Sequence, residues 1–152
     1  MATIYKKEMD AGVAGAIATT ENKDIVSATV EDVAGIEFGR AVTFGVGTTD
    51  SEGYTYTQTI RSVKTGDANF VGVTVLDRTA GDLINGKFTQ YESARVMVKG
   101  VIWVQVTEAV KAGDSAAVDL ATGKFNKSGQ AYPNARYETS APVGGLAKLR
   151  LK

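Results

Sequence analysis

The chain has 152 residues, 43% of them apolar, with 17 lysines plus arginines against 17 aspartates plus glutamates and neither cysteine nor histidine. One domain with a sizeable core fits that length and composition, which argue against disorder throughout. Zero formal net charge offers no basic face to nucleic acid, the missing cysteines exclude disulfides and thiolate metal sites, and the missing histidines remove the usual acid–base group near neutral pH. Catalysis is therefore disfavoured, and no cofactor is expected. The opening residues, Met1-Ala-Thr-Ile-Tyr-Lys-Lys-Glu8, show no signal-peptide core. No apolar run approaches the roughly 18 residues of a spanning helix. The expectation is synthesis in the cytosol, with no membrane partner.

Residues 1–30 read as an extended N-terminal arm. The run Ala11 to Thr20 is small and flexible, with Val13, Ile17 and Ile25 as apolar anchor points, and a short strand is expected near Asp24 to Val30. Residues 31–152 read as a single β-domain. Gly35 to Val46 gives two short strand pieces around a kink at Gly39-Arg40. Gly45 to Gly53 is a loop, and Tyr54 to Ile60 alternates threonine with larger side chains. After a turn at Lys64-Thr-Gly66-Asp67, Phe70 to Leu76 is apolar on both sides, as a central strand is. Asp77 to Gly86 is loop-like, and Phe88 to Tyr91 leads into the next strand.

Arg95 to Thr107 alternates with period two, which is strand spacing. Plain alternation puts Val96, Val98, Ile102, Val104 and Val106 on one face. Met97, Val101 and Trp103 share the other face with Arg95, Lys99 and Gln105. Gly100 marks a bend, bulge or close approach. Trp103 reads either as core or as an interface anchor, and Met97 lies on the same mixed face. Turns at Lys111 to Asp114 and Ala121 to Gly123 make residues 95–125 read as a β-meander. Tyr132 to Tyr137 is extended, because Pro133 disfavours helix before it. Val143 to Leu151 closes the chain as a strand, with Lys148 and Arg150 opposite Leu149 and Leu151. The fold class is all-β: a jelly-roll-like sandwich or barrel of about eight short strands.

Chemistry-bearing motifs are sparse. Gly45-Val-Gly47 has no following helix or Gly-Lys-Ser/Thr box and reads as a turn. Gly113-Asp-Ser115 lacks the second glycine of a nucleophile elbow and has no histidine base. Asp50, Glu52, Asp67, Asp77, Asp82 and Asp114 fall in turns or loops, where carboxylates serve the backbone, and EF-hand spacing is absent. Tyr54, Tyr56, Tyr132 and Tyr137 are the candidates for an aromatic platform. Such a platform would suit a ligand- or glycan-binding β-domain, for instance a tail or adhesin module.

Several pieces in order carry a likeness. They are Gly12-Val-Ala-Gly15-Ala-Ile-Ala, Gly35-Ile-Glu-Phe-Gly39-Arg40-Ala-Val, Phe70-Val-Gly72-Val-Thr-Val, the Tyr91 to Val106 run entering Gly100-Val-Ile-Trp-Val, and Val110-Lys-Ala-Gly113-Asp114-Ser-Ala-Ala-Val118 before Thr122-Gly123. Together they span residues 12–125, and in order and spacing the chain resembles the structural cement proteins that decorate tailed-phage capsids. The resemblance implies a non-enzymatic virion protein with a jelly-roll-like fold. It implies binding to the outer face of the major capsid protein, bridging of neighbouring subunits, and self-association as a homodimer or homotrimer. Val13, Ile17, Ile25, Met97 and Trp103 are the residues expected to bind partners.

Overall fold

The computed structural model describes residues 12–47, 50–55 and 58–152, and among these the alternating stretches pair as strands with no helix. In chain order the strands are β1 (Asp24–Val30), β2 (Ile36–Glu37), β3 (Ala41–Phe44), β4 (Thr59–Ser62), β5 (Phe70–Thr74), β6 (Lys87–Phe88), β7 (Ser93–Gln105), β8 (Ser115–Val118), β9 (Phe125–Asn126), β10 (Gln130–Tyr137) and β11 (Leu146–Leu151). The count exceeds eight because pairings as short as β6 and β9, two residues each, leave no periodicity in a sequence.

Strand β7, at 13 residues, is the longest and organises the rest. Its first half belongs to one closed ring, β1–β4–β3–β5–β7, which closes because β1 pairs with both β4 and β7. Only the β1–β4 pairing in that ring is parallel. Its second half belongs to another series, β7–β11–β10–β8–β9. This series also returns to its start: Phe125 of β9 bridges Val106, and the Thr107 N–H donates to the Phe125 carbonyl at 2.9 Å. Closure removes the free edges that would otherwise invite pairing with other chains. Of the architectures open to an all-β chain, the pairings give two small fused barrels sharing one stave.

Each ring has its own apolar filling. Val30, Val42, Ile60 and Val96 fill the first, capped by Phe38 and Phe88 in edge-to-face contact at 5.1 Å. Ile102, Val104, Leu149, Val118, Phe125 and Tyr137 fill the second, and the Tyr137 hydroxyl donates to the Asn126 carbonyl at 2.5 Å. Full burial of an aliphatic or aromatic side chain stabilises by about 1.5–3 kcal/mol, so these two clusters carry the fold.

Plain alternation along β7 does not survive. Asp24 pairs with Lys99 and Ile25 with Met97, leaving Val98 as an extra residue on β7. A one-residue bulge flips every later side chain to the other face. Met97 therefore packs in the same cluster as Ile102 and Val104, while Val96 packs in the first ring. Gly100, at φ 130°, completes the bend. A Cβ there would lie 2.8 Å from Lys23 Cβ.

The meander expected over residues 95–125 is also corrected. The second half of β7 pairs with β11, and β8 pairs with β9 and β10. The closing strand slots in beside β7 because its buried face, Ala147, Leu149 and Leu151, completes the second ring. The expected strand at Asp24 to Val30 is present as β1, within the first ring rather than beside it. Upstream of it, Gly15 N–H donates to the Trp103 carbonyl, Trp103 N–H to Ala16, and Ala18 N–H to Val101, at 2.8–3.0 Å. Residues 12–30 thus run along β7. The part of the expected arm at residues 1–11 lies outside the described residues.

Candidate functional site

The five residues expected to bind partners fall in one stripe where the N-terminal segment meets β7. Ile17 bridges Ile102, and Ile25 pairs with Met97; both isoleucines are half-buried on the second core. Met97 is 0% exposed and has no surface left to offer. Trp103 is half-buried, with Gly12 packed so close that a Cβ would sit 2.6 Å from the indole. The Lys148 ammonium lies 5.4 Å from the ring centroid, a cation–π contact. Val13, 57% exposed, is the most open of the five. The stripe chiefly holds the chain to itself.

An ion-pair network fastens that segment from the far side. Glu21 accepts two hydrogen bonds from the Arg150 guanidinium, at 2.8 and 2.9 Å. Arg150 Nε donates to Glu138, which also accepts from Arg136 Nε at 3.1 Å. Hydrogen bonds from Arg150 hold the Glu21 and Glu138 carboxyls below the usual carboxylate range and make the guanidinium still harder to deprotonate.

The turn carboxylates serve the backbone, as their positions suggest. Asp67 accepts from Lys64 N–H, Asp77 from Thr79, Asp82 from Asn85, and Asp114 from Lys111, at 2.8–3.2 Å. Glu31, which no motif singled out, accepts from Val46 N–H, Gly47 N–H and the Thr59 hydroxyl, and so ties two loops to one mouth of the first ring. The Gly47 N–H is the chief reason its pKa falls. Among the described residues, no group of three or more carboxylates is placed to hold a metal ion.

Two concavities stand out among the described residues. One, about 210 Å³, is walled by Glu37, Arg40, Lys87 and Gly123. Its charged groups are engaged: Arg40 donates to the Thr122 carbonyl and to Glu37, and Lys87 to the Ala34 carbonyl. The other, about 420 Å³, opens where β10 arches away from β8 between Ala131 and Arg136, with Asn134 at φ 60°. Tyr132, Arg136 and Lys152 line it. Neither holds a nucleophile beside a base, which acyl or glycosyl transfer would need.

Among the described residues, the aromatic platform does not assemble. Tyr137 is fully buried, and burial raises its pKa. Tyr132 stacks on Phe70 at 5.1 Å, and burial pushes its hydroxyl up to about 12. Tyr54 is exposed but lines neither concavity, and Tyr56 lies outside the described residues.

What the surface does carry is apolar. Val33, Phe44, Val46, Leu83, Ile84, Tyr91 and Val143 are all exposed, mostly at turns. Ile84 is 97% exposed, at the tip of a hairpin closed by Asp82 and Lys87. Its signal was in the sequence: an apolar Leu83-Ile84 pair set between turn-forming Asp82 and Asn85-Gly86, where polar residues are the rule.

These features define a class: an all-β scaffold with two closed cores, turn-bound carboxylates and apolar side chains displayed on loops. The chain matches the model of the family described as "Structural cement protein (E217 gp24/Pam3 gp6)" over residues 1–152, and it belongs to that family. Its fold is similar to that of a chain in a structure titled "The capsid of Myoviridae Phage XM1". The TM-score is 0.70 at 16% identity, covering 97% of this chain and 94% of that one. No curated protein matches.

Proposed function

We propose that this protein is a non-enzymatic virion component that binds the outer surface of the major capsid protein and bridges neighbouring subunits. The observation that carries the reading is the family match across residues 1–152. The shared fold with a chain from a phage capsid structure supports it. Two closed rings make a stiff body with few free strand edges, so contacts would come from loop side chains more than from strand pairing. Val13 and the open part of Trp103 keep a place in that surface. A stable contact needs on the order of 1,000 Å² or more. Repetition over a closed shell then turns modest contacts into resistance to internal pressure. The protein would be made in the host cytoplasm and sit on the capsid as a homodimer or homotrimer.

The test is co-sedimentation of the purified protein with expanded, undecorated capsids of its own phage. The full chain is compared with one lacking residues 1–11. Deleting residues 1–30 would remove β1 and open the first ring. Saturation at a fixed ratio of protein to capsid subunit is the expected result, with weaker binding by the shortened chain. Protein that stays in the supernatant at every concentration would sink the capsid-binding reading.

A further inference from the structure

We propose that the Asp82–Lys87 hairpin is a preformed plug, and that Leu83 and Ile84 enter an apolar pocket on a capsid subunit. The inference rests on the capsid-binding reading above and names the part of the surface that does the binding. Leu83 is 47% exposed and Ile84 97%. Neither belongs to a core cluster. Large aliphatic groups left in water gain nothing for folding, and their transfer into an apolar pocket is favourable.

The hairpin is already in one shape. Lys87 N–H donates to the Asp82 carbonyl at 3.0 Å and Gly86 N–H to the Leu83 carbonyl at 3.1 Å. The Asp82 carboxylate accepts from both the backbone and the side-chain amide of Asn85, at 3.0–3.2 Å. Gly86, at φ 66°, completes the turn. Its carbonyl accepts from Phe38 N–H at 3.0 Å, which roots the hairpin beside the first core. Little ordering entropy is then lost on binding. The flanking charges are hydrogen-bonded at the base of the hairpin: Asp82 accepts from Asn85, and the Lys87 ammonium donates to the Ala34 carbonyl at 2.9 Å. A pocket that takes only the two-residue tip leaves both charges in water at its rim, which avoids the cost of burying them.

Neither concavity named above is wholly apolar: Glu37, Arg40 and Lys87 line one, and Arg136 and Lys152 share the other with Tyr132 and three alanines. The chain belongs to the structural cement family, so the occupant proposed for the aliphatic tip is the shell subunit rather than a second copy.

The experiment compares wild type with Leu83→Ser/Ile84→Ser for binding to expanded capsids. Thermal unfolding and sedimentation of the free proteins are measured alongside. Wild-type binding with at least a tenfold loss in the variant, at unchanged melting temperature and oligomeric state, is the expected result. Equal binding by both overturns the plug and leaves the capsid reading intact. No binding by wild type removes both. A changed oligomeric state in the variant points to a second copy as occupant and also overturns the proposal. Should the double variant fold poorly, Ile84→Cys replaces it. The chain has no other cysteine, so a photo-crosslinker attached there reads out the neighbour directly. Crosslinking to the shell subunit supports the plug, and crosslinking only to itself or to nothing refutes it.

Discussion

Gly100 is the residue at which one barrel ends and the other begins. Its φ of 130° lies where a side chain is strained, and an added Cβ would also press on Lys23 Cβ at 2.8 Å and the Met97 sulfur at 3.1 Å. Gly113 isolates the first effect, because its φ is 93° but nothing lies within 4 Å of an added Cβ. Gly113→Ala should therefore lose about 1 kcal/mol from backbone strain alone. Gly100→Ala should lose about 2–4 kcal/mol, since contact with Lys23 and Met97 is added to strain. Urea midpoints at constant slope measure both. Equal losses would mean that β7 can straighten at this point and that the bend is not required.

At the scale of elements, the N-terminal segment is held by backbone pairing to β7 on one side and by the Glu21–Arg150–Glu138 network on the other. Both carboxyls titrate below the usual glutamate range in the folded protein, chiefly through hydrogen bonds from Arg150. The unfolded or detached state then binds more protons just below that range. The network's contribution is present above the ordinary glutamate pKa of about 4.3 and is lost as pH falls through the lowered folded values. Trp103, the single tryptophan, reports the event because Gly12 covers its indole. Its emission should shift to the red as pH drops below about 4, ahead of the loss of far-ultraviolet circular dichroism. Glu21→Gln should show much of that shift already at neutral pH. Constant wild-type emission down to acid unfolding would show that the network does not hold the segment.

Most of these elements were legible from the chain alone. The alternation over Leu146 to Leu151 gives β11 with its buried Ala147, Leu149 and Leu151, and the kink at Gly39 separates β2 from β3. The two faces of β7 were not legible, because a bulge at Val98 depends on the register of β1, which local periodicity does not encode. Nor was the burial of Met97, because it is the flip after it that turns Ile102 and Val104 onto its side of the strand. The Leu83-Ile84 tip was readable in principle, but exposure only becomes evident once both cores are filled without it.

The molecule as a whole depends on one strand serving two barrels. The sequence suggested neighbours in chain order, whereas β11 reaches β7 across the intervening β8, β9 and β10, a long-range pairing that only the completed second core rewards. Sharing has a thermodynamic consequence. The face of β7 that carries Val96 fills the first ring, and beyond Val98 the strand turns Ile102 and Val104 into the second. If one ring opens, β7 loses half its partners, and Met97, packed with the second core yet paired with β1 and β5 of the first ring, is stripped on one side. Neither ring should survive alone, so calorimetry should show one transition with matching calorimetric and van 't Hoff enthalpies. Ile60→Ala in the first core and Leu149→Ala in the second, both sites 0% exposed, should each lower that single transition by about 2–5 kcal/mol. Because the two side chains sit in separate clusters, the losses should add within about 0.5 kcal/mol in the double variant. Two resolved transitions, with Ile60→Ala moving one and Leu149→Ala the other, would show that the barrels are independent units and that β7 is a linker between them rather than a shared stave.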